Sequence, residues 1–201
     1  MRRAVLPAAL VLAAVSGLPA AALAHTGAVT GGAGFIAGFA HPLFGLDHLL
    51  AMFAVGLWAA QLGGRALWAV PASFVGAMVL AGAAAMAGAA LPAVELGILG
   101  SVVVLGLLVA LQPRLPLAAA TLVVAAFAAF HGHAHGSEMP IAADPVLYGI
   151  GFALATAFLH GVGVAAVLGL RRTLAGERGS LAARGAGFVI GGTGLVLAAF
   201  G

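Results

Sequence analysis

The chain has 201 residues, of which 64% are hydrophobic and only 6% charged, and its mean hydropathy is +1.21. Soluble domains carry about 25% charged residues, so the composition indicates a membrane protein without room for a sizeable aqueous domain. Cysteine and lysine are both absent, which excludes disulfides, thiolate metal sites, cysteine nucleophiles, lysine Schiff bases and nucleotide loops of the Walker type.

The first 24 residues are typical of a secretory signal peptide. Two arginines precede an apolar run, and Ala22-Leu23-Ala24 forms a small-x-small cleavage site. An uncleaved first span is the alternative, but Pro7 and Pro19 interrupt the apolar run. Cleavage leaves His25 as the mature N-terminus and 25–201 as one membrane domain. The remaining six arginines stand against five acids, so the charge gives no indication of nucleic-acid binding.

Six apolar segments follow, and each is long enough to be a membrane span of about 20 residues. All six remaining arginines lie in or beside the first, third and fifth connections, of which the last covers 171–184. The positive-inside rule therefore puts these connections in the cytoplasm and both mature termini in the periplasm. We predict an all-α integral membrane protein, a six-transmembrane-helix bundle. The predicted spans are about 34–62, 66–90, 93–111, 116–137, 146–170 and 181–200.

The predicted first span contains HPLFGLDHLL at residues 41–50. In a continuous helix with about 100° per residue, His41, His48 and Met52 share one stripe. Asp47 faces about 100° away and is expected to orient an imidazole of a neighbouring turn or helix. Pro42 predicts that the regular helix begins at His41. An ionised carboxylate near the bilayer centre costs at least about 2.5 kcal/mol, so Asp47 indicates a functional site.

The fourth span ends in FHGHAHGSEM. His131, His135 and Glu138 lie on one helical face, a spacing that lets side chains converge on a metal ion. His133 faces the other way. Glycine and alanine fill these spans and predict close helix packing, and Met78 and Met86 are expected only to fill space.

On the fifth span, Thr156 and His160 share a stripe near the middle of the helix. Counting the rise of about 1.5 Å per residue from the outer ends predicts a graded column of polar side chains. Its upper members, within about 10 Å of the outer surface, are His131, His135 and His41, and its lower members, at about 20 Å, are Asp47, His48 and His160.

Imidazoles with carboxylates and a thioether suit borderline divalent ions such as Ni, Co, Cu and Zn, whereas Mg and Ca call for more oxygen ligands. We expect no catalytic residue and no prosthetic group. The candidate transport ligands are His41, Asp47, His48, His131, His135, Glu138 and His160, with His25, His133, Met52 and Thr156 as secondary candidates.

Three blocks, HPLFGLDHLLAMFAVGLWAAQLGG, FHGHAHGSE and ATAFLHGVG, resemble the HupE/UreJ family of bacterial membrane proteins, which is associated with nickel supply to hydrogenase and urease. The resemblance covers the whole mature chain in segment order. It implies a permease for nickel, or cobalt, with cytoplasmic nickel chaperones or hydrogenase and urease maturation proteins as partners. His41, Asp47 and His48 match the first-span motif, and His131, His135 and Glu138 match the fourth.

Two hypotheses of different classes follow. In a permease without ATP, the outer ligands His25, His135, Glu138 and His131 collect the ion, and the inner ligands His41, Asp47, His48 and His160 pass it inward while Asp47 fixes the His48 tautomer. In a membrane-embedded zinc hydrolase, the histidines hold zinc and Asp47 or Glu138 is the general base. Convergence of three histidines on one point favours the hydrolase, and a staggered column favours the permease. A metal-sensing or metal-storage protein is a third hypothesis.

Overall fold

The computed structural model describes residues 33–174 and 177–200, and these ranges contain helices and short connections without a strand. The predicted signal peptide and His25 lie outside the described residues. The helices are α1 (Ala33–Phe44), α2 (Leu46–Leu62), α3 (Ala66–Met86), α4 (Val94–Leu111), α5 (Leu117–Ser137), α6 (Pro145–Thr173) and α7 (Glu177–Phe200).

Five of these helices, α3 to α7, are long and apolar enough to cross a bilayer. The bent pair of α1 and α2 meets the same criterion only when taken together, which gives five spans, or six if the pair is one broken span. Large apolar side chains cover the outside of the bundle, as at Trp68, Leu80 and Phe158, which are more than half exposed. An apolar exterior is what lipid contact requires. The chain is a multi-pass membrane protein, and its spans lie where hydropathy predicts them, with ends that differ by a few residues.

The predicted first span is broken. α1 and α2 meet at an angle of 80°, and the extended backbone of Gly45, with φ −79° and ψ 111°, separates them. Pro42, which lacks an N–H, lies in the last turn of α1. The predictions of a continuous helix and of a helix start at His41 were therefore wrong: His41 belongs to the end of α1, and His48 to the start of α2.

The last predicted connection is also shorter than expected. α6 continues to Thr173 and α7 begins at Glu177, so most of 171–184 is helical. Arginine is a good helix former. A hydropathy criterion measures polarity and not helix propensity, so it ends the predicted span where the arginines begin. Arg184 even has a structural role, because its Nε donates to the carbonyl of Ala110 over 2.8 Å. That carbonyl belongs to the last turn of α4, where no intrahelical donor is available.

Several helix pairs meet backbone to backbone through glycine, among them α3 with α5 and α2 with α6. A Cβ at Gly132 of α5 would collide with the Met78 carbonyl of α3, and a Cβ at Gly56 of α2 would collide with the His160 carbonyl of α6. Small residues at these crossings allow the close approach that helices in a membrane need. The predicted close packing is confirmed at these crossings, which hold α5 against α3 and α2 against α6.

A matched pair of substitutions on α4 tests this packing. Gly106 faces the backbone of Gly187 and Gly191 on α7, whereas nothing lies within 4 Å of a Cβ at Gly100. We expect Gly106→Ala to destabilise the fold by about 1–3 kcal/mol through overpacking. Gly100→Ala should be neutral or stabilising by up to about 1 kcal/mol through helix propensity. Equilibrium unfolding in mixed detergent micelles measures both, and equal stabilities would contradict the packing.

Candidate metal site

Four imidazoles meet inside the bundle, from His41 on α1, His48 on α2, and His131 and His135 on α5; we call them the histidine cluster. The ring centroids are 4.7 Å apart for His41 and His135, 4.8 Å for His48 and His135, and 4.7 Å for His48 and His131. His48, His131 and His135 are buried, and His41 is partly exposed. Two consecutive helices, α1 and α2, and the distant helix α5 therefore supply one polar centre in an apolar bundle.

One nitrogen from each of His41, His48 and His135 can be chosen so that the three lie within 4.8 Å of one another. Metal–nitrogen bonds measure about 2.0–2.1 Å, so three nitrogens arranged around one ion are about 3.4–3.6 Å apart. An inward movement of each ring by less than about 1 Å is enough to bind one ion. These three donors form a compact ligand set for a borderline divalent metal.

The predicted graded column was wrong for the histidine cluster. His48 was expected about 10 Å deeper than His135, but their ring centroids are 4.8 Å apart. The depth estimate counted residues along a straight helix. Because α1 turns by 80° before α2 begins, the residues before Gly45 add little depth, and His48 lies at the level of the α5 terminus.

Asp47 orients the ring of its own neighbour. Its Oδ1 lies 2.9 Å from His48 Nδ1 and also accepts from the His48 backbone N–H over 2.7 Å. The contact expected between Asp47 and His48 is present. The expectation that Asp47 serves another turn or helix was wrong, because at the first turn of α2 the carboxylate folds back onto the helix start. A carboxylate at Nδ1 fixes the tautomer, which leaves the lone pair on His48 Nε2. That nitrogen is buried and has no partner within the described ranges.

Ser101 on α4 fixes the tautomer of His131, although Ser101 was not among the predicted site residues. Its hydroxyl donates to the Ile98 carbonyl over 2.6 Å and lies 2.8 Å from His131 Nε2. Since the hydroxyl hydrogen is already committed, the oxygen accepts from Nε2–H, and the lone pair of His131 is on Nδ1. Nδ1 is buried without a partner among the described side chains. A single serine in an apolar span is the only sequence pattern that could have indicated this role.

The histidine cluster opens toward solvent through His41 and Glu138. His41 Nε2 lies 3.3 Å from Glu138 Oε2, and their side chains are 30% and 48% exposed. The hydrogen bond from His41 holds the pKa of Glu138 below its ordinary value, against the opposing effect of partial burial. An ionised carboxylate thus lies at the mouth of the histidine cluster, where it attracts cations.

The other candidates lie apart from the histidine cluster. His133 points away, as predicted, and its Nε2 donates to the Ala89 carbonyl over 2.9 Å. His160 is buried next to Phe74, with ring centroids 5.2 Å apart, and Phe74 also contacts His131 at 5.7 Å. Phe74 therefore separates His160 from the four clustered rings. Met52 and Thr156 are fully buried and contact each other.

Comparison with known proteins agrees with the resemblance. The family model described as "HupE / UreJ protein" matches residues 12–197. Protein HupE of Rhizobium leguminosarum bv. viciae is 44% identical over 180 residues, which cover 90% of this chain and 91% of that protein. No solved structure matches the chain.

Two histidines of α5 provide a matched test of the cluster as a metal site. His135 belongs to it, and His133 does not. We expect His135→Gln to raise the Kd for Co²⁺ at least about tenfold, equivalent to about 1.4 kcal/mol, because one of three converging donors is lost. His133→Gln should bind Co²⁺ like the unmodified protein. Absorption titration of the purified protein in detergent measures both, and equal effects would count against the cluster as the site.

Proposed function

This chain belongs to the HupE/UreJ family, and on that premise we propose that it is a permease without ATP that imports a divalent transition-metal ion. The ion is Ni²⁺, with Co²⁺ as the second substrate. Membership supports metal transport in general. The choice of nickel comes from what the family resemblance implies. So do the partners that would receive the ion, which are cytoplasmic nickel chaperones or hydrogenase and urease maturation proteins.

The observation that carries the proposal is the histidine cluster with its lone pairs left free. Asp47 and Ser101 each engage one nitrogen of a ring, and the remaining nitrogens of His48 and His131 have no partner in the described part of the chain. Burying polar nitrogens without partners costs stability. Their retention at one point in a membrane protein supports a role in binding an ion that enters and leaves.

The distribution of charge supports inward transport. Glu138 lies at the mouth of the histidine cluster, whereas Arg65 follows the far end of α2 and Arg114 precedes the far end of α5. The positive-inside rule assigns the arginine-rich end to the cytoplasm, so the mouth faces the periplasm across the inner membrane. Downhill flow toward a cytoplasmic sink supplies the driving force.

A membrane-embedded zinc hydrolase is the second candidate, and one observation favours it. Three imidazoles converge on one point, which is the arrangement expected of a catalytic zinc site, with Asp47 or Glu138 as general base. Membership of the HupE/UreJ family favours transport instead. A cavity of about 730 Å³ is lined by Gln61 and Arg114 at the opposite end of the bundle, and one of about 450 Å³ is lined by His160. Neither borders the histidine cluster, where a substrate would have to bind.

Uptake of radioactive nickel at nanomolar supply tests the proposal. Cells express the unmodified protein or Asp47→Asn at matched membrane levels, and cobalt, zinc and copper serve as competitors. We expect Asp47→Asn to reduce uptake about 10–100-fold, the usual effect of losing the partner that orients a metal-binding histidine.

Glu95→Gln provides the control, because Glu95 is exposed in the first turn of α4 and its loss should leave uptake unchanged. Nickel uptake by the unmodified protein no higher than in empty cells, despite correct insertion, would refute the permease. It would direct attention to bound zinc and hydrolysis.

A further inference from the structure

A second group of possible metal donors lies one helical turn beyond the histidine cluster, and it contains sulfur. Thr156 Oγ1 donates to Met52 Sδ over 3.2 Å and lies 3.6 Å from Met78 Sδ. All three residues are fully buried, and they come from three helices, α6, α2 and α3. We call them the sulfur layer.

The hydrogen bonding of Thr156 is unusual for this protein. The three other threonines on the described helices donate to the carbonyl four residues earlier, as Thr173 does to Gly169 over 3.0 Å and Thr193 to Val189 over 2.9 Å. That backbone bond is the usual arrangement for a helical threonine. Thr156 instead donates toward two thioethers, which are weaker acceptors than a carbonyl. Helix packing alone gives no reason for this choice.

The sulfur layer lies between the histidine cluster and His160. Met52 follows His48 by four residues on α2, and Thr156 precedes His160 by four residues on α6, so each is one turn from a buried imidazole. Phe152, one turn before Thr156, stacks on His135 with ring centroids 4.8 Å apart. Both nitrogens of His160 are buried and lack a partner within 33–174 and 177–200.

We propose that Met52, Met78 and Thr156 form a second metal-binding station, which receives the ion from the histidine cluster before His160. The inference deepens the proposed permease and adds Met78, which the sequence analysis treated as a space filler. The Thr156 hydroxyl hydrogen now lies against both sulfurs, where a cation would bind. Rotation of the O–H bond about the Cβ–Oγ1 axis, away from the sulfurs, frees both sulfurs and leaves a lone pair of the hydroxyl oxygen beside them as a third donor.

The donor atoms of this station select metal ions by their softness. Thioethers accept soft and borderline ions and bind hard ions such as Mg²⁺ poorly. The sulfur layer contains no carboxylate, so a dication there has no counter-charge from these three residues and is held weakly. Weak binding at a second position is what conduction through successive sites requires.

The sulfur can be detected directly. The chain contains no cysteine, so any sulfur neighbour in the X-ray absorption spectrum of bound metal is a methionine. The probes are Cu⁺ and Ni²⁺, each loaded separately onto the purified full-length protein. We expect a sulfur shell that disappears in the Met52→Leu/Met78→Leu double variant. The shell should persist in the control Met86→Leu, because Met86 lies on α3 like Met78 but outside the sulfur layer. Leucine conserves the volume of methionine, so the packing is retained.

Thr156→Val provides an independent variant, because it keeps the shape and removes the hydroxyl. It should weaken the sulfur shell while the nitrogen shell of the histidine cluster stays. The absence of a sulfur shell with both metals in the unmodified protein, or a shell that persists in the double variant, would overturn the station.

Nickel uptake separates this inference from the proposed function. We expect the double variant to take up nickel roughly tenfold more slowly, at the low end of the effect of losing a partner in a metal site. Unchanged uptake by the double variant would overturn the station and leave the permease intact. If the unmodified protein takes up no nickel, the permease is refuted. The sulfur shell then still decides whether the station exists.

Discussion

The bend at Gly45 is the constraint on which the polar centre of this protein depends. It ends α1 just after His41 and starts α2 just before His48, so two histidines that are seven residues apart face each other. Gly45 also leaves room for the Asp47 carboxylate. A Cβ there would lie 3.2 Å from Asp47 Oδ1 and 3.4 Å from His48 Nδ1, closer than ordinary van der Waals contact. The missing side chain thus accommodates the bond that fixes the His48 tautomer.

The histidine cluster shows how a membrane protein can hold imidazole rings in fixed orientations. Each of two rings donates its N–H outward, to Asp47 or to Ser101, and the opposite nitrogen is left without a partner in the described structure. In an apolar surrounding this arrangement is costly. The outer partners reduce the cost, because they satisfy one nitrogen per ring and hold the ring in the orientation that the other nitrogen needs.

The sequence allows the spans to be predicted, because lipid contact demands apolar helices and hydropathy measures this demand directly. It also allows the fourth-span histidines to be assigned to one face, since α5 is a regular helix. The bend at Gly45 could not be predicted, because glycine also occurs within continuous membrane helices. Ser101, Phe74 and Met78 were missed for a similar reason: each residue type is common in packed helices, and only the three-dimensional neighbours distinguish a role. Whether the predicted ligands bind metal stays a prediction.

The glycine crossings have a consequence for motion. α2 and α6 touch backbone to backbone at Gly56, and so do α3 and α5 at Gly132, so each pair resists internal sliding. The donors are divided between these pairs, since His48 and Met52 belong to one, and His135 and Met78 to the other. An ion bound by donors of both pairs favours the state in which the pairs are together, and separation of the pairs lowers its affinity by the same free energy. For such an ion, occupancy and the separation of the two helix pairs are therefore thermodynamically linked.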